Sequence, residues 1–325
     1  MASPSLVHYQ KTWDALLAVE RICVVIPAKP DGDNIGSALG LFFALKAQGK
    51  TVAIVSLGKI PEYFSFLPGI NAIVYDVETV TRHPWDAMVV TDVSDASYAG
   101  INPLRDACTP RPMLVQIDHH ATNTYFGDVN LVEPRAASAT VVVTNLLRTM
   151  HVFVSPDIAL CLLTGLLTDT SFFANPATDE QALATGAFLL EHGADVRPMF
   201  KALVVNKDMK TLKVWGKTFE RMRFCERWGL VVTVLFNHEL TDAGLTSESA
   251  EGIANFLNIL SGVRAVCVLR EEAPGKLKAS LRTTHSNVDV SKIALLFGGG
   301  GHKKAAGFSM NGKLSEKNGR WEVEV

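Results

Sequence analysis

Met113-Leu114-Val115-Gln116-Ile117 runs directly into Asp118-His119-His120, and this junction decides how the chain is read. The apolar run has strand length and reads as a buried strand, which places a carboxylate and two imidazoles at its C-terminal end. The same grammar recurs along the chain. Ile22-Cys23-Val24-Val25-Ile26 precedes Pro30-Asp31-Gly32-Asp33, and Ala87-Met88-Val89-Val90 precedes Thr91-Asp92. A fourth cluster, Thr168-Asp169-Thr170, closes the helix-like stretch from Ile158 to Leu167. Three of these four clusters end a strand, where open α/β sheets place their ligands. Carboxylates joined by one or two imidazoles suit Mn²⁺ or Mg²⁺ better than structural zinc.

Outward from these junctions, a helix is expected over Asn34–Gln48, ended by Gly49, then a strand over Thr51–Ser56 and helices from about Ala137 and Asp157. The alternation predicts an α/β fold, a mainly parallel sheet with helices on both faces. Helix Gln181–Glu191 ends at His192-Gly193, and Asp195 can cap the stretch Val196–Arg223. That stretch has no Gly or Pro between Met199 and Val214 and reads as one long helical connector. A smaller α/β lobe follows, with strands at Leu230–Phe236, Ala265–Arg270, Leu277–Thr283 and Gly307–Met310. Helices lie among them at about Ser247–Leu260 and Val290–Leu296. Lys313–Arg320 reads as a polar loop or turn before a last strand, Trp321–Val325. The expected division is residues 1–195, a metal-binding lobe; 196–223, the connector; and 224–325, a substrate-binding lobe.

The chain has 325 residues with 48% apolar content, enough for a core in each lobe. A net charge of −2 gives no footprint for long duplex nucleic acid. From Arg270 onward the balance is +4, leaving −6 for the rest, so metals suit the first lobe and substrate phosphates the last, with ordinary surface charge as the alternative. Five scattered cysteines without paired spacing, Cys23, Cys161 and Cys267 inside apolar segments, are a reduced, intracellular pattern. Thr12 to Arg21 reads as a short amphipathic helix, with no signal core before it. No apolar run approaches the roughly 20 residues of a membrane span. The expectation is a cytoplasmic protein without a membrane partner.

Two features of the last lobe point to anions. Gly298-Gly299-Gly300-Gly301 can adopt positive φ and present amides, and His302-Lys303-Lys304-Ala305-Ala306-Gly307 continues it. Lys278-Ala279-Ser280-Leu281-Arg282 alternates, which puts Lys278, Ser280 and Arg282 on one face. Taken together, Pro30-Asp31-Gly32-Asp33-Asn34-Ile35-Gly36-Ser37, the Asp92 cluster, Ile117-Asp118-His119-His120, Thr168-Asp169-Thr170 and Gly298 to Gly307 resemble the DHH phosphoesterase family. The branch is the one with a C-terminal DHH-associated domain, which holds oligoribonucleases, 3′-phosphoadenosine-5′-phosphate phosphatases and cyclic-dinucleotide phosphodiesterases. The resemblance spans about residues 20 to 310.

The resemblance implies two divalent cations, Mn²⁺ or Mg²⁺, about 3.5–4 Å apart and activating water against a phosphodiester. Asp92 would bridge them, Asp31 would hold the first, and Asp33, His119 and Asp169 would hold the second. His120 would face the scissile phosphate as a catalytic group. Ser280, Arg282, Gly299, Gly300, Gly301 and His302 would bind the substrate's terminal phosphate or base end across an interlobe cleft. A homodimer is also implied. Singly, each residue has an ordinary reading: Asp31-Gly32-Asp33 as a turn or cap, Asp92 and Asp95 as caps, Asp169 as a helix end, Arg282 as a surface ion pair, Lys303 and Lys304 as solvated, the glycines as a flexible turn.

The family places a metal-binding histidine three residues before the first motif's proline, where this chain has Pro27. Proline offers a metal no donor, which leaves the first site with Asp31, Asp92 and water. The leading reading is a metal-dependent phosphodiesterase or phosphatase for short oligoribonucleotides or small nucleotides. Its rival is a nucleotide-binding relative with weak or no turnover. A long-strand exonuclease and an inorganic pyrophosphatase are disfavoured, the first by modest charge and the second by Gly298–Gly307.

Overall fold

Ile22, Val24 and Ile26 pack on one side of the first strand and Cys23 and Val25 on the other, all five fully buried. A strand covered on both faces has no polar side to alternate with, which is why it reads as a continuous apolar run. The computed structural model describes residues 6–97, 100–205, 207–250, 252–273, 275–317 and 320–324. Asn206, Glu251 and Val325, which fall in the expected connector, the helix at Ser247–Leu260 and the last strand, lie outside them.

The chain divides into two compact units, residues 1–205 and 206–325. In the first, helix α1 (Leu6–Leu17) leads to β1 (Arg21–Ile26), α2 (Gly32–Ala47), β2 (Thr51–Ser56), β3 (Ile73–Val74), α3 (Val77–Thr81), β4 (Ala87–Thr91) and α4 (Ile101–Ala107). Strands β5 (Met113–Asp118) and β6 (Val129–Val132) follow, then helices α5 (Ala139–Thr149), α6 (Pro156–Asp169), α7 (Glu180–Glu191) and α8 (Val196–Phe200). The sheet order is β3-β2-β1-β4-β5-β6, with every pairing parallel. The order reverses between β1 and β4, the topological switch point of a doubly wound sheet. One face is covered by α1, α2, α5 and α6, the other by α3 and α4.

Helix α2 is unusual in what it lacks. Gly32, Gly36 and Gly40 recur every four residues along one side, facing α6. A Cβ on Gly36 would collide with the Cys161 carbonyl, and one on Gly32 with the Thr168 side chain. The two helices therefore touch almost backbone to backbone.

Three local expectations need correction. The first helix is Leu6–Leu17, not Thr12–Arg21, because Arg21 already pairs with Thr51 in the sheet. Val196–Arg223 is not one helix. It comprises α8, a π-helical turn at Lys201–Val205, α9 (Met209–Glu220) capped by Asp208, and the start of β7 (Arg223–Cys225). Within the segment expected as a polar loop or turn, Lys313–Lys317 is a strand (β13) that pairs antiparallel with Arg320–Glu324 (β14), while Asn318 and Gly319 lie outside the described residues.

Beyond β7, the second unit contains β8 (Leu230–Leu235), α10 (Asn237–Asp242), α11 (Ile253–Phe256), β9 (Ala265–Ala273), β10 (Lys276–Arg282), α12 (Val290–Leu296), β11 (Gly300–Gly301) and β12 (Ala305–Asn311). Its mixed sheet has the order β11-β12-β10-β9-β8-β7, in which only the β8–β9 pairing is parallel. Among the described residues no helix is long and apolar enough to cross a membrane.

Candidate active site

Asp31 caps α2: its Oδ1 accepts the amides of Asp33 and Asn34, both at 3.0 Å, and Asn34 returns a bond to the Asp31 amide. Asp33, in the first turn of α2, is 2% exposed and accepts from Ala139 N at 2.6 Å and Thr140 N at 3.0 Å, the first amides of α5. A helix N-terminus favours a carboxylate there. A Cβ on Gly165 of α6 would come within 2.7 Å of Asp33 Oδ1, so a glycine is required for this approach. Asp169 ends α6, and the close α2–α6 contact brings it beside Asp33.

From the other side of the switch point, β4 and β5 deliver Asp92, His119 and His120. Asp92 has φ 57, and Asn34 Nδ2 holds its carbonyl at 2.8 Å. His119 Nδ1 donates to Ala136 O at 3.1 Å, so Nε2 is the nitrogen turned to the carboxylates. It lies 3.4 Å from Asp92, 3.6 Å from Asp169 and 3.9 Å from Asp33. His120 Nδ1 sits 2.8 Å from Asp118 Oδ1 and 3.6 Å from Asp92 Oδ1. After Asp169 the chain turns through Ser171, Phe172 and Phe173, all at positive φ, a conformation costing roughly 1–2 kcal/mol per L-residue. Asn175 Nδ2 closes that turn on the Asp169 carbonyl at 2.7 Å.

The electrostatics show a deficit of positive charge. Burial, then the charge of Asp33, pushes Asp92 well above the carboxylate range and Asp169 up to about 7. Asp33 is raised by burial first. Burial works against a charged His119, yet Asp92, Asp169 and Asp33 together outweigh it and hold the imidazole well above its usual value. Asp118 behaves oppositely: burial would raise it, but the bonds from His120 and Asn123 prevail and hold it low.

Asp92 Oδ1 is buried and makes no hydrogen bond, its nearest polar neighbours being His119 Nε2 at 3.4 Å and His120 Nδ1 at 3.6 Å, and a cation among these groups would relieve the cost of burying it. Two sets of donor atoms lie within 4.8 Å of one another, Asp33-His119-Asp169 and Asp92-His119-His120. Carboxylate oxygens with imidazole nitrogens fit Mn²⁺ or Mg²⁺. Asp31 belongs to neither set, although its charge helps raise Asp33, Asp92 and Asp169. His120 does belong to one.

In the second unit the sheet register gathers most of the expected anion binders. Gly300 and Ser280 both pair with Gly307, from opposite sides of β12, so the three form one row. Arg282 pairs with Ala305, which in turn exchanges backbone bonds with His302 at 2.8 and 3.2 Å. Lys278, Ser280 and Arg282 share the half-exposed face of β10. Arg282 Nε donates to Asn255 Oδ1 at 2.7 Å, and no carboxylate pairs with it among the described residues. The glycine run is not a wholly flexible turn: Gly298 and Gly301 have positive φ, while a Cβ on Gly299 would strike the Gly307 carbonyl.

Sequence reading did not identify Asn34, Asn123, Gly165 or the pairing of Asp118 with His120. The four-residue glycine spacing on α2 was the readable signal for the α2–α6 contact. The asparagines carried none, because both look like ordinary turn residues.

A doubly wound lobe with acidic and imidazole groups at its switch point, followed by a mixed-sheet lobe bearing a glycine-rich edge, defines the class: a phosphoester hydrolase. The profile for the DHH family, N-terminal domain, matches residues 21–166, and that for the DHHA1 domain matches residues 229–319. The chain is 32% identical over 300 residues to the bifunctional oligoribonuclease and PAP phosphatase NrnA of Thermus thermophilus, covering 92% of this chain and 87% of that one. It is 24% identical over 285 residues to the protein of the same description from Bacillus subtilis, 87% of each. In fold it is similar to an exopolyphosphatase-related protein from Bacteroides fragilis, with a TM-score of 0.86 at 23% identity over 95% of this chain and 92% of that one. The chain belongs to the DHH family of phosphoesterases, in the branch that carries a DHHA1 domain.

Proposed function

We propose that the protein is a Mn²⁺- or Mg²⁺-dependent phosphodiesterase and phosphatase acting on short oligoribonucleotides or small nucleotides. The observation that carries this is the buried, unbonded Asp92 Oδ1 beside two converging donor sets. Asp33, His119 and Asp169 would hold one cation, and Asp92 would be shared with a second near Asp31. Bound cations would neutralise phosphoryl charge and make water more acidic. His119, tied to Ala136 through Nδ1, would offer Nε2 as ligand. His120, whose Nδ1–H is held by Asp118, would present Nε2 to the substrate, where the bare nitrogen can accept a hydrogen bond and the doubly protonated ring can give a proton to the leaving oxygen. Ser280, Arg282 and the Gly299–His302 edge would bind a terminal phosphate, Arg282 through its fork of donors. The oligoribonuclease and PAP phosphatase activities named for the relatives support this substrate class. The five cysteines are free and four are buried, which suits the reducing cytoplasm as its location.

The test is incubation with Mn²⁺ and a panel of dinucleotides, linear cyclic-dinucleotide products, 3′-phosphoadenosine-5′-phosphate and a longer RNA, read by chromatography. Metal-dependent release of mononucleotides or phosphate from the short members is expected. No turnover on any of them would overturn the proposal. Pro27 and the exclusion of Asp31 from both donor sets favour one second reading, binding with weak turnover through a loosely held first cation. On that reading Pro27→His raises the rate at limiting Mn²⁺; an unchanged rate and two equally tight cations by calorimetry would sink it.

A further inference from the structure

Asn123 lies outside every ligand set above, yet it joins two parts of the site. Its side-chain amide donates to Asp118, the fully buried carboxylate that engages His120 Nδ1 at 2.8 Å. The same nitrogen lies 3.4 Å from the Val93 carbonyl, next to Asp92, which also accepts from Gln116 Nε2 at 2.7 Å. The neighbouring Thr124 ties its backbone and hydroxyl to the Ser94 carbonyl at 3.0 and 3.2 Å. Asn123 Oδ1 is itself fixed by the Tyr125 amide at 2.6 Å. The two adjacent histidines are thus anchored differently, His119 by a backbone carbonyl and His120 by a side-chain chain that ends on Asn123.

We propose that Asn123 is a positioning residue for His120, acting through Asp118 and locking the imidazole as the Nδ1–H tautomer. The inference rests on the phosphoesterase reading for its kinetic consequence but not for its geometry. A carboxylate can rotate about its Cβ–Cγ bond. With Oδ2 held by Asn123, Oδ1 has one orientation, and it accepts the Nδ1 proton of His120 there. Losing the amide frees that rotation and leaves a buried carboxylate oxygen short of a donor. The ring then samples both tautomers, and Nε2 is no longer set toward the substrate.

The experiment uses the full chain with Mn²⁺ and a dinucleotide. Asn123→Ala should lower kcat by roughly 10–100-fold, the range for residues that orient reacting groups from behind, with KM and calorimetric Mn²⁺ affinity unchanged. The ¹⁵N shifts of His120 in the metal-free protein should show one tautomer in the wild type and a mixture in Asn123→Ala. The reciprocal pair Asp118→Asn with Asn123→Asp keeps a donor–acceptor contact and should recover most of the kcat that Asn123→Asp alone loses. An unchanged kcat, or a fall in kcat matched by equal losses of Mn²⁺ affinity and melting temperature, would overturn the positioning role. Should the wild type turn over no substrate, the phosphoesterase reading fails. The tautomer spectra then decide the positioning claim alone: one shared tautomer in both proteins overturns it.

Discussion

Burial, then the charges of Asp33 and Asp31, oppose ionisation of Asp92 in the metal-free protein, and His119 offsets them only in part. Asp92→Asn should therefore raise the melting temperature without metal, lose that advantage when Mn²⁺ is added to both proteins, and abolish turnover. Near wild-type turnover would remove Asp92 from the mechanism. A second residue titrates away from the cations. Burial pushes Glu133 from its ordinary 4.5 up to about 7, with Asn145 a weak partner at 3.4 Å. Between those values the unfolded chain has released this proton and the folded one has not. Stability is thus full below pH 4.5, falls as pH rises, and by pH 8 has lost roughly 2–3 kcal/mol. Denaturant titrations at pH 5 and pH 8 should show a smaller stability difference for Glu133→Gln than for the wild type; equal differences would mean that the folded protein does not hold this carboxyl protonated. At this scale Asp33, Asp92, His119, His120 and Asp169, which the structure gathers, could be picked from the sequence because each follows an apolar run, whereas Asp31, picked the same way, falls outside both donor sets. The contributions of Asn34 and Asn123 depend on what the fold brings opposite them, and one chain without a fold holds no trace of that.

Helix α2 owes its position to absent side chains. Gly36→Ala would press a methyl group into the Cys161 carbonyl, which cannot rotate away, and α6 would have to shift. Overpacking of this kind costs about 1–3 kcal/mol, and here it should also weaken Mn²⁺ binding, because α6 carries Asp169. Calorimetry and thermal melts on one preparation test both, and a destabilised variant with undiminished affinity would uncouple helix packing from the site. Elements with long apolar runs were legible: β1, β2, β4 and β5 lie where the sequence put them. Strands β3 and β6 were not, being only two and four residues long. Strand β13 escaped, although its partner β14 was expected as the last strand, because Lys313–Lys317 carries polar residues where a two-sided strand would be apolar. Helix α1 was placed too late because the amphipathic pattern was carried through to Arg21.

For the whole molecule, cations that bind one unit should stabilise that unit. Ligand at about 100 times its dissociation constant adds about 2.7 kcal/mol to the state that binds it. Calorimetric melts with Mn²⁺ should accordingly move the transition of residues 1–205 upward relative to chelator and leave that of 206–325 in place. A single transition moving as a whole would show that the two melt together. The two-lobe plan was readable from the change in strand and helix rhythm. The connector was drawn as one helix because no proline or glycine marks its break.

The strand order has a consequence for how the chain comes into being. Strands β1 and β4 are neighbours in space, but β2, β3 and two helices are synthesised between them. Translation therefore lays down one wing of the sheet, crosses back over the centre and builds the other wing outward. Asp31 leaves the ribosome first and Asp169 last, with α6 arriving as the final cover over the exposed glycines of α2. Parallel pairings of such wide sequence separation form slowly. Until α6 is made, a nascent chain lacks Asp169 and the helix that covers the α2 glycines, so the full acidic set of the site comes together only late in the lobe's synthesis.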